Sequence, residues 1–246
     1  MLRAERLEIE VAGRRLADAV SLNVDAGDCC AVLGRNGSGK SSLLAVLAGL
    51  RRPSSGAVLL GNRPIETWPR RERARMLGIL LQEDTGDYWG TTLEYVQLGR
   101  YPHGGSDDLA RARALLAEFD LERRAGQRFR TLSGGERQRA RIAQLLAQDP
   151  KVLLLDEPLQ HLDLAHQACA MATFSRLASE GRAVLMALHE PIMAARHCER
   201  SILLYDAGRV VQGPSEIMLT QQSLEALYQC RLESAGSPGL FVPIIR

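Results

Sequence analysis

Apolar and polar positions change their period several times along the chain, and each change marks an element. From Leu7 to Val11 apolar and acidic residues alternate, a turn falls near Gly13, and from Val20 to Val24 apolar residues return at every second position. This predicts two short antiparallel strands. Asp28 to Leu33 reads as a buried strand feeding a glycine-rich loop, and Leu43, Leu44, Val46, Leu47 and Leu50 then carry the three-and-four spacing of a helix face. Pro53-Ser54-Ser55-Gly56 marks a turn, after which Ala57 to Leu60 and Leu77 to Leu81 read as strands around a charged helix near Arg70 to Met76.

From about Glu83 to Pro150 strand patterns give way to helical faces. Leu109, Ala112, Leu116 and Phe119 recur at helical spacing, as do Ile142, Leu145 and Leu146 before Asp149-Pro150 ends the run. Val152 to Leu155 and Val184 to Leu188 are continuous apolar runs, the pattern of central parallel strands covered on both faces, with one helix, Leu164 to Ser179, between them. A strand-helix-strand crossover of this kind predicts an α/β core with parallel pairing. A strand-rich stretch (Ser201 to Val211), a helical stretch (Ser223 to Tyr228) and a short apolar tail (Phe241 to Ile245) follow, without internal repeats.

Composition narrows the classes. At 246 residues and 46% hydrophobic content the chain is long enough for a sizeable core. Its 31 basic and 29 acidic residues leave a net charge of +2, which gives no support to nucleic acid as a partner. Arg70, Arg71, Arg73 and Arg75, and separately Arg123-Arg124, read as solvated helix faces. No apolar stretch approaches the roughly 18 residues of a membrane span. Met1-Leu2-Arg3-Ala4-Glu5-Arg6 lacks the apolar core of a signal peptide, so a cytosolic protein, docked elsewhere only by partners, is expected. Cys29, Cys30, Cys169, Cys198 and Cys230 form no CxxC pair and read as reduced packing residues. The histidines (His103, His161, His166, His189, His197) show no metal-ligand spacing.

Three segments carry the chemistry. Gly34-Arg35-Asn36-Gly37-Ser38-Gly39-Lys40-Ser41, continued by Ser42, fits the phosphate-cradling loop and sits in the strand-loop-helix context that motif requires. Gly37 and Gly39 let the backbone wrap closely, and the helix that follows aims its positive end at phosphates. Lys40 is placed for the β- and γ-phosphates of ATP, and Ser41 for Mg²⁺, with Asp156 at the end of its apolar strand supporting the same ion. Glu157, next to Asp156, offers a second carboxylate able to polarise an attacking water. Leu132-Ser133-Gly134-Gly135-Glu136 matches the S-x-x-E capping box, so Ser133 and Glu136 start a helix whose exposed N–H groups form another anion site.

A glycine pair behind Ser133, set between a phosphate loop and an acidic strand end, resembles the ATP-binding cassette (ABC) family, and the resemblance covers nearly the whole chain. It implies an ABC-type P-loop NTPase core with an antiparallel β subdomain and a helical insert. The whole chain would then be one ATPase domain, with a nucleotide-binding core at 1–82 and 151–246 and a helical subdomain at 83–150. It also implies that Ser133, Gly134 and Gly135 close over ATP held by a second copy of the chain. By position, Gln82 resembles the glutamine that senses Mg²⁺ and water, His189 the switch histidine at the γ-phosphate, and Asp163 the aspartate at the dimer seam. Taken alone, Gln82 is a surface amide, His189 a structural histidine and Asp163 a helix N-cap.

Two departures from the family pattern stand out. Val11 occupies the place of the aromatic on which many cassettes stack adenine, and Glu190 follows the switch histidine where aspartate is commoner. The string Val96-Gln97-Leu98-Gly99-Arg100-Tyr101-Pro102-His103 and the tail from Leu219 to Ile245 are similar to ATPases of importers for iron-siderophores, haem and cobalamin. That resemblance implies permease subunits as partners, a substrate-binding protein engaged indirectly, and a peripheral place on the cytoplasmic face of the inner membrane. Nearby Tyr88 and Trp89 are open to either permease contact or helix packing. A soluble cassette acting on nucleic acid or ribosomes, and a pure binding module, are the rival readings. The first usually has a second cassette or a long coiled coil; Glu157, Gln82 and His189 argue against the second.

Overall fold

The structure, a computed structural model, describes residues 1–82, 88–104, 108–236 and 240–244. The chain opens with β1 (Leu2–Val11), β2 (Arg14–Val24), β3 (Cys29–Leu33) and α1 (Lys40–Leu47). Next come β4 (Ser55–Leu60), β5 (Arg63–Pro64), α2 (Arg70–Met76), β6 (Leu77–Leu80), α3 (Thr92–Gln97), α4 (Asp108–Glu118) and α5 (Gly134–Ala147). β7 (Val152–Asp156), α6 (Leu164–Ser179), β8 (Ala183–Ala187), α7 (Pro191–His197), β9 (Arg200–Leu204) and β10 (Val210–Pro214) follow. The end holds α8 (Ser215–Met218), α9 (Gln221–Tyr228), β11 (Leu232–Ser234) and β12 (Phe241–Pro243).

Two larger sheets result. One is antiparallel with order β2-β1-β4-β5; the other has order β10-β9-β3-β8-β7-β6, parallel from β9 through β6 with β10 antiparallel at its edge. Period-two alternation along the central strands divides the interior into two cores. Cys30, Val32, Leu154 and Leu185 join α1 and the antiparallel sheet, whereas Cys29, Ala31, Leu33, Leu155 and Met186 join the helical side, α4 to α6. Because β3, β7 and β8 are buried on both faces, their sequences show no polar alternation.

The expected strands, helices and α/β class are present, with differences that have local causes. Leu50 is 56% exposed because Gly49, at φ 67°, has already ended the helix face that Leu43 and Leu44 bury. On α4 the buried stripe is Ala112, Leu115 and Leu116, and Leu109 turns outward. Cys29, Cys30 and Cys198 are packing residues as expected, but Cys169 and Cys230 are exposed. Arg71 and Arg75 are not simply solvated: both donate through Nε to the Pro102 carbonyl, at 2.9 and 2.8 Å, tying α2 to the chain after α3. Tyr88 and Trp89 part company. Tyr88 packs edge-on against Tyr95 and Phe129, while Trp89 is 66% exposed beneath the Arg130 guanidinium. The expected start of the helical region, residues 83–87, and Ile245 lie outside the described residues.

Candidate active site

The loop after β3 is built so that only particular residues fit. A Cβ on Gly34 would lie 2.5 Å from Ser38 Oγ and 2.8 Å from the Leu204 carbonyl oxygen. Gly37 and Gly39 take φ of 75° and 103°, the left-handed region that glycine enters without steric cost. Gly39 N-caps α1 and contributes no side chain, so the first-turn N–H groups have no side-chain cap. Lys40, only 5% exposed, donates through Nζ to the carbonyls of Gly34 (2.9 Å) and Arg35 (3.3 Å). Burial holds its pKa below that of an ordinary lysine, while the nearby Glu157 and Asp156 carboxylates pull it back up. The buried Ser38 hydroxyl has no hydrogen-bond partner among the described residues. A cation and uncapped helix N–H groups together suit a polyanion.

The acidic end stands opposite. β7 terminates at Asp156, and Glu157 turns into the left-handed region at φ 50° with its N–H donating to the Ala187 carbonyl (3.1 Å). That turn matters because a continuing strand would send adjacent side chains to opposite faces. Burial raises the pKa of Asp156; a hydrogen bond from Ser41 opposes the rise and Glu157 adds to it. Asp156 Oδ1 has no hydrogen-bond partner among the described residues. Both Glu157 oxygens have partners, with acceptor capacity left on Oε1: Oε2 accepts from Gln82 Nε2 (2.8 Å) and Gln160 Nε2 (3.3 Å), and Oε1 lies 2.5 Å from His189 Nε2. The Tyr228 hydroxyl holds the His189 carbonyl at 3.2 Å.

A cleft of about 520 Å³ joins the two ends. Asn36, Gly37, Gly39, Lys40, Ser41 and Ser42 line it from the loop, Gln82, Glu157, Gln160 and His189 from the acidic end, and Val11, Arg14 and Leu16 from β1 and β2. The volume falls in the range of small-molecule sites. Gly34, the buried Ser38 and the buried Asp156 are not among the cleft's lining residues. Ser133, Gly134, Gly135 and Asp163 do not line the cleft. Ser133 caps α5 through a full capping box with Glu136, and Asp163 caps α6 by accepting from the His166 N–H at 2.9 Å. Ser133 and Gly134 are exposed, so the positive end of α5 opens to the outside of the chain.

Several residues joined to this site escaped the sequence reading. Gln160 was visible only as part of the string before Asp163. Gln138, Arg139 and Arg141 look like a polar helix face, yet each is buried. Gln138 donates to the Pro158 carbonyl (2.9 Å), and Arg141 donates to the carbonyls of Leu81 and Gln82. The α5 helix is thereby fastened to the end of β6 and to the loop following Glu157. Arg14 carried no signal beyond its place after the Ala12–Gly13 turn.

Known proteins share this arrangement. A model of the ABC transporter family matches residues 17–160. The chain is 41% identical over 245 residues to a hemin import ATP-binding protein, HmuV, of Myxococcus xanthus, covering 95% of this chain and 91% of that protein. Against HmuV of Escherichia coli O157:H7 identity is 34%, over 100% of this chain and 98% of that one. Among solved structures, an inward-facing metal-chelate type ABC transporter superposes with a TM-score of 0.84 at 28% identity, covering 100% and 98% of the two chains. A dimeric, post-hydrolysis cassette, MJ0796, bound to ADP and Pi, superposes at 0.79 with 27% identity, covering 87% and 99%. With its phosphate-loop cleft, its carboxylate pair and this degree of likeness, the chain belongs to the ABC transporter family and is one of its ATPases.

Proposed function

We propose that this chain is the ATP-hydrolysing subunit of an importer for a metal chelate, with haem as the cargo, and that it works as a homodimer beneath membrane-embedded permease subunits. The observation that carries the ATPase half is the cleft between an uncapped, lysine-bearing phosphate loop and Glu157. Haem as cargo rests on the hemin-import relatives that span almost the entire chain. No helix of the described residues is long and apolar enough to cross a membrane, and in this reading permease subunits supply the path. Trp89, Leu98 and Tyr101, large apolar side chains exposed on either side of α3, suit contact with such a partner. A peripheral position on the cytoplasmic membrane face and indirect engagement of a substrate-binding protein belong to this reading, and nucleic acid has no part in it. The division into a core (1–82 and 151–246) and a helical arm (83–150) belongs to it too, the arm being where α3 and its exposed flanks lie.

In this reading the loop from Gly34 to Ser42 cradles the phosphates and Lys40 neutralises the β- and γ-groups. Mg²⁺ fits the buried Asp156 oxygen that lacks a partner, together with the Ser41 hydroxyl and the Gln82 side-chain oxygen. Bound there, it would supply charge neutralisation at the phosphates. Glu157 polarises the attacking water, Gln82 and His189 position that carboxylate, and His189 meets the γ-phosphate. Ser133 and Gly134, exposed, and Gly135, half-buried, at the positive end of α5 cap the ATP of the second copy, with Asp163 at the seam. Losing the γ-phosphate removes that cap's ligand, so ATP favours the closed pair and ADP the open one.

Haem-dependent growth of a strain lacking this gene tests the proposal. Restoration by the wild-type chain and not by Lys40→Ala is expected. Equal rescue by both, or growth on haem without either, would refute it.

A further inference from the structure

The cleft has a phosphate end, but among the described residues its β1–β2 end offers adenine no aromatic ring. Its lining at the β1–β2 end consists of Val11, Arg14 and Leu16. A nucleotide whose phosphates occupy the loop must direct its base away from Glu157, toward that end. Val11 and Leu16 present apolar edges there, and Leu16 packs against Gly39, where a Cβ would meet the Leu16 Cβ at 3.0 Å. The one planar group among the three is the Arg14 guanidinium, which borders the phosphate loop: a Cβ on Gly37 would lie 3.9 Å from Arg14 Nη1.

Arg14 is also held in place. Its Nη2 lies 3.6 Å from Asp206 Oδ1, in the turn between β9 and β10. The other oxygen of that carboxylate accepts from Gln229 Nε2 at 2.6 Å and lies 3.6 Å from Arg35 Nη1, and Arg35 in turn donates to Gln229 Oε1 at 2.6 Å. This mesh spans β2, the phosphate loop, the β9–β10 turn and the end of α9. A tethered side chain loses less rotamer freedom when a ligand docks on it. A guanidinium is flat, delocalised and weakly hydrated, which suits it to lie on the face of an aromatic ring.

We infer that Arg14 is the adenine-recognition residue of this chain, its guanidinium stacking on the base where an aromatic side chain is absent. The inference rests on the proposal that the cleft binds ATP, and adds how the base is gripped. Stacking of this kind is worth roughly a 2- to 30-fold change in affinity.

The test is calorimetric titration of the purified full chain with Mg-ATP and with inorganic tripolyphosphate, which has phosphates and no base. Arg14→Ala should weaken ATP roughly 2- to 30-fold, weaken tripolyphosphate distinctly less, and keep the wild-type melting curve, since Arg14 is exposed. Arg14→Trp should restore ATP affinity and Arg14→Lys should not. Because these two variants are compared with each other, the result stands even if the alanine variant is unstable. Unchanged ATP affinity in Arg14→Ala, or loss of both ligands together with rescue by lysine, would overturn the stacking assignment and leave the ATP site standing. Lys40→Ala separates the two readings: it should abolish binding of both ligands, and indifference of both to that change would bring down the ATP site itself, and this inference with it.

Discussion

Replacing Glu157 by glutamine changes charge while leaving shape almost untouched, so it isolates what the carboxylate contributes. The side chain is 7% exposed and bound on both oxygens, by Gln82 and Gln160 on one and His189 on the other. A glutamine amide can keep the acceptor facing Gln82 and offer its N–H₂ to an unprotonated His189 nitrogen, so the fold should hold. Removing the negative charge also relieves Asp156, whose pKa Glu157 helps to raise, and takes away one of the two carboxylates that support the Lys40 charge. Both changes make the site less positive, and the lost repulsion between Glu157 and the phosphates offsets them, so ATP affinity should change little. What disappears is the group proposed to polarise water, a contribution of about 10²- to 10⁴-fold in rate, or about 3–5 kcal/mol of barrier.

Phosphate release from saturating Mg-ATP, read beside equilibrium ATP binding, makes the measurement. Turnover should fall by about two to four orders of magnitude while binding persists, and the variant should accumulate as an ATP-bound dimer on size-exclusion chromatography. Wild-type turnover in Glu157→Gln would refute the role assigned to the carboxylate. Loss of binding along with turnover would show instead that Glu157 acts through the cradle.

Two further outcomes follow from the surrounding structure. The Ser133 backbone N–H holds Glu136 below its ordinary pKa, so the folded state binds fewer protons than the unfolded one in acid; the resulting stability is present above about pH 4.3 and is lost as pH falls through the lowered folded value. Glu136→Gln should therefore flatten the acid limb of the melting temperature against pH, and an unchanged limb would contradict this. Gly99→Ala would set a Cβ 2.1 Å from the Gln144 carbonyl oxygen and 2.9 Å from Ala147 Cβ, overpacking the contact between the segment after α3 and α5. A loss of about 1–3 kcal/mol, at roughly 2–4 °C per kcal/mol for a chain of this size, should be visible by calorimetry.

What could be read in advance was whatever the chain encodes locally. Helix α6 begins after Asp163 and ends at Ser179 because an N-cap aspartate and a helical apolar stripe are neighbours in sequence. The phosphate loop and the Asp156-Glu157 pair were legible for the same reason. Features that depend on distant partners were not. Arg141 is buried on a helix that reads as charged because the carbonyls of Leu81 and Gln82, 60 and 59 residues away, absorb its N–H groups. Arg14 gains its place from Asp206, which is far away in sequence, in the turn that joins β9 to β10. The left-handed turn at Glu157 has no marker either, since glutamate is not a residue whose presence announces positive φ. That Tyr88 is half-buried against the core and Trp89 lies on the surface turned on the positions of Tyr95 and Phe129.

The central claim is that two copies of this chain share each nucleotide, because the exposed α5 terminus lies outside the cleft that holds Lys40. A crystal structure with a nonhydrolysable ATP analogue and Mg²⁺ tests it most directly. The account predicts two analogues at a twofold interface, each between Lys40 of one copy and Ser133 and Gly135 of the other. An analogue enclosed by a single chain, with Ser133 and Gly135 facing solvent, would contradict it.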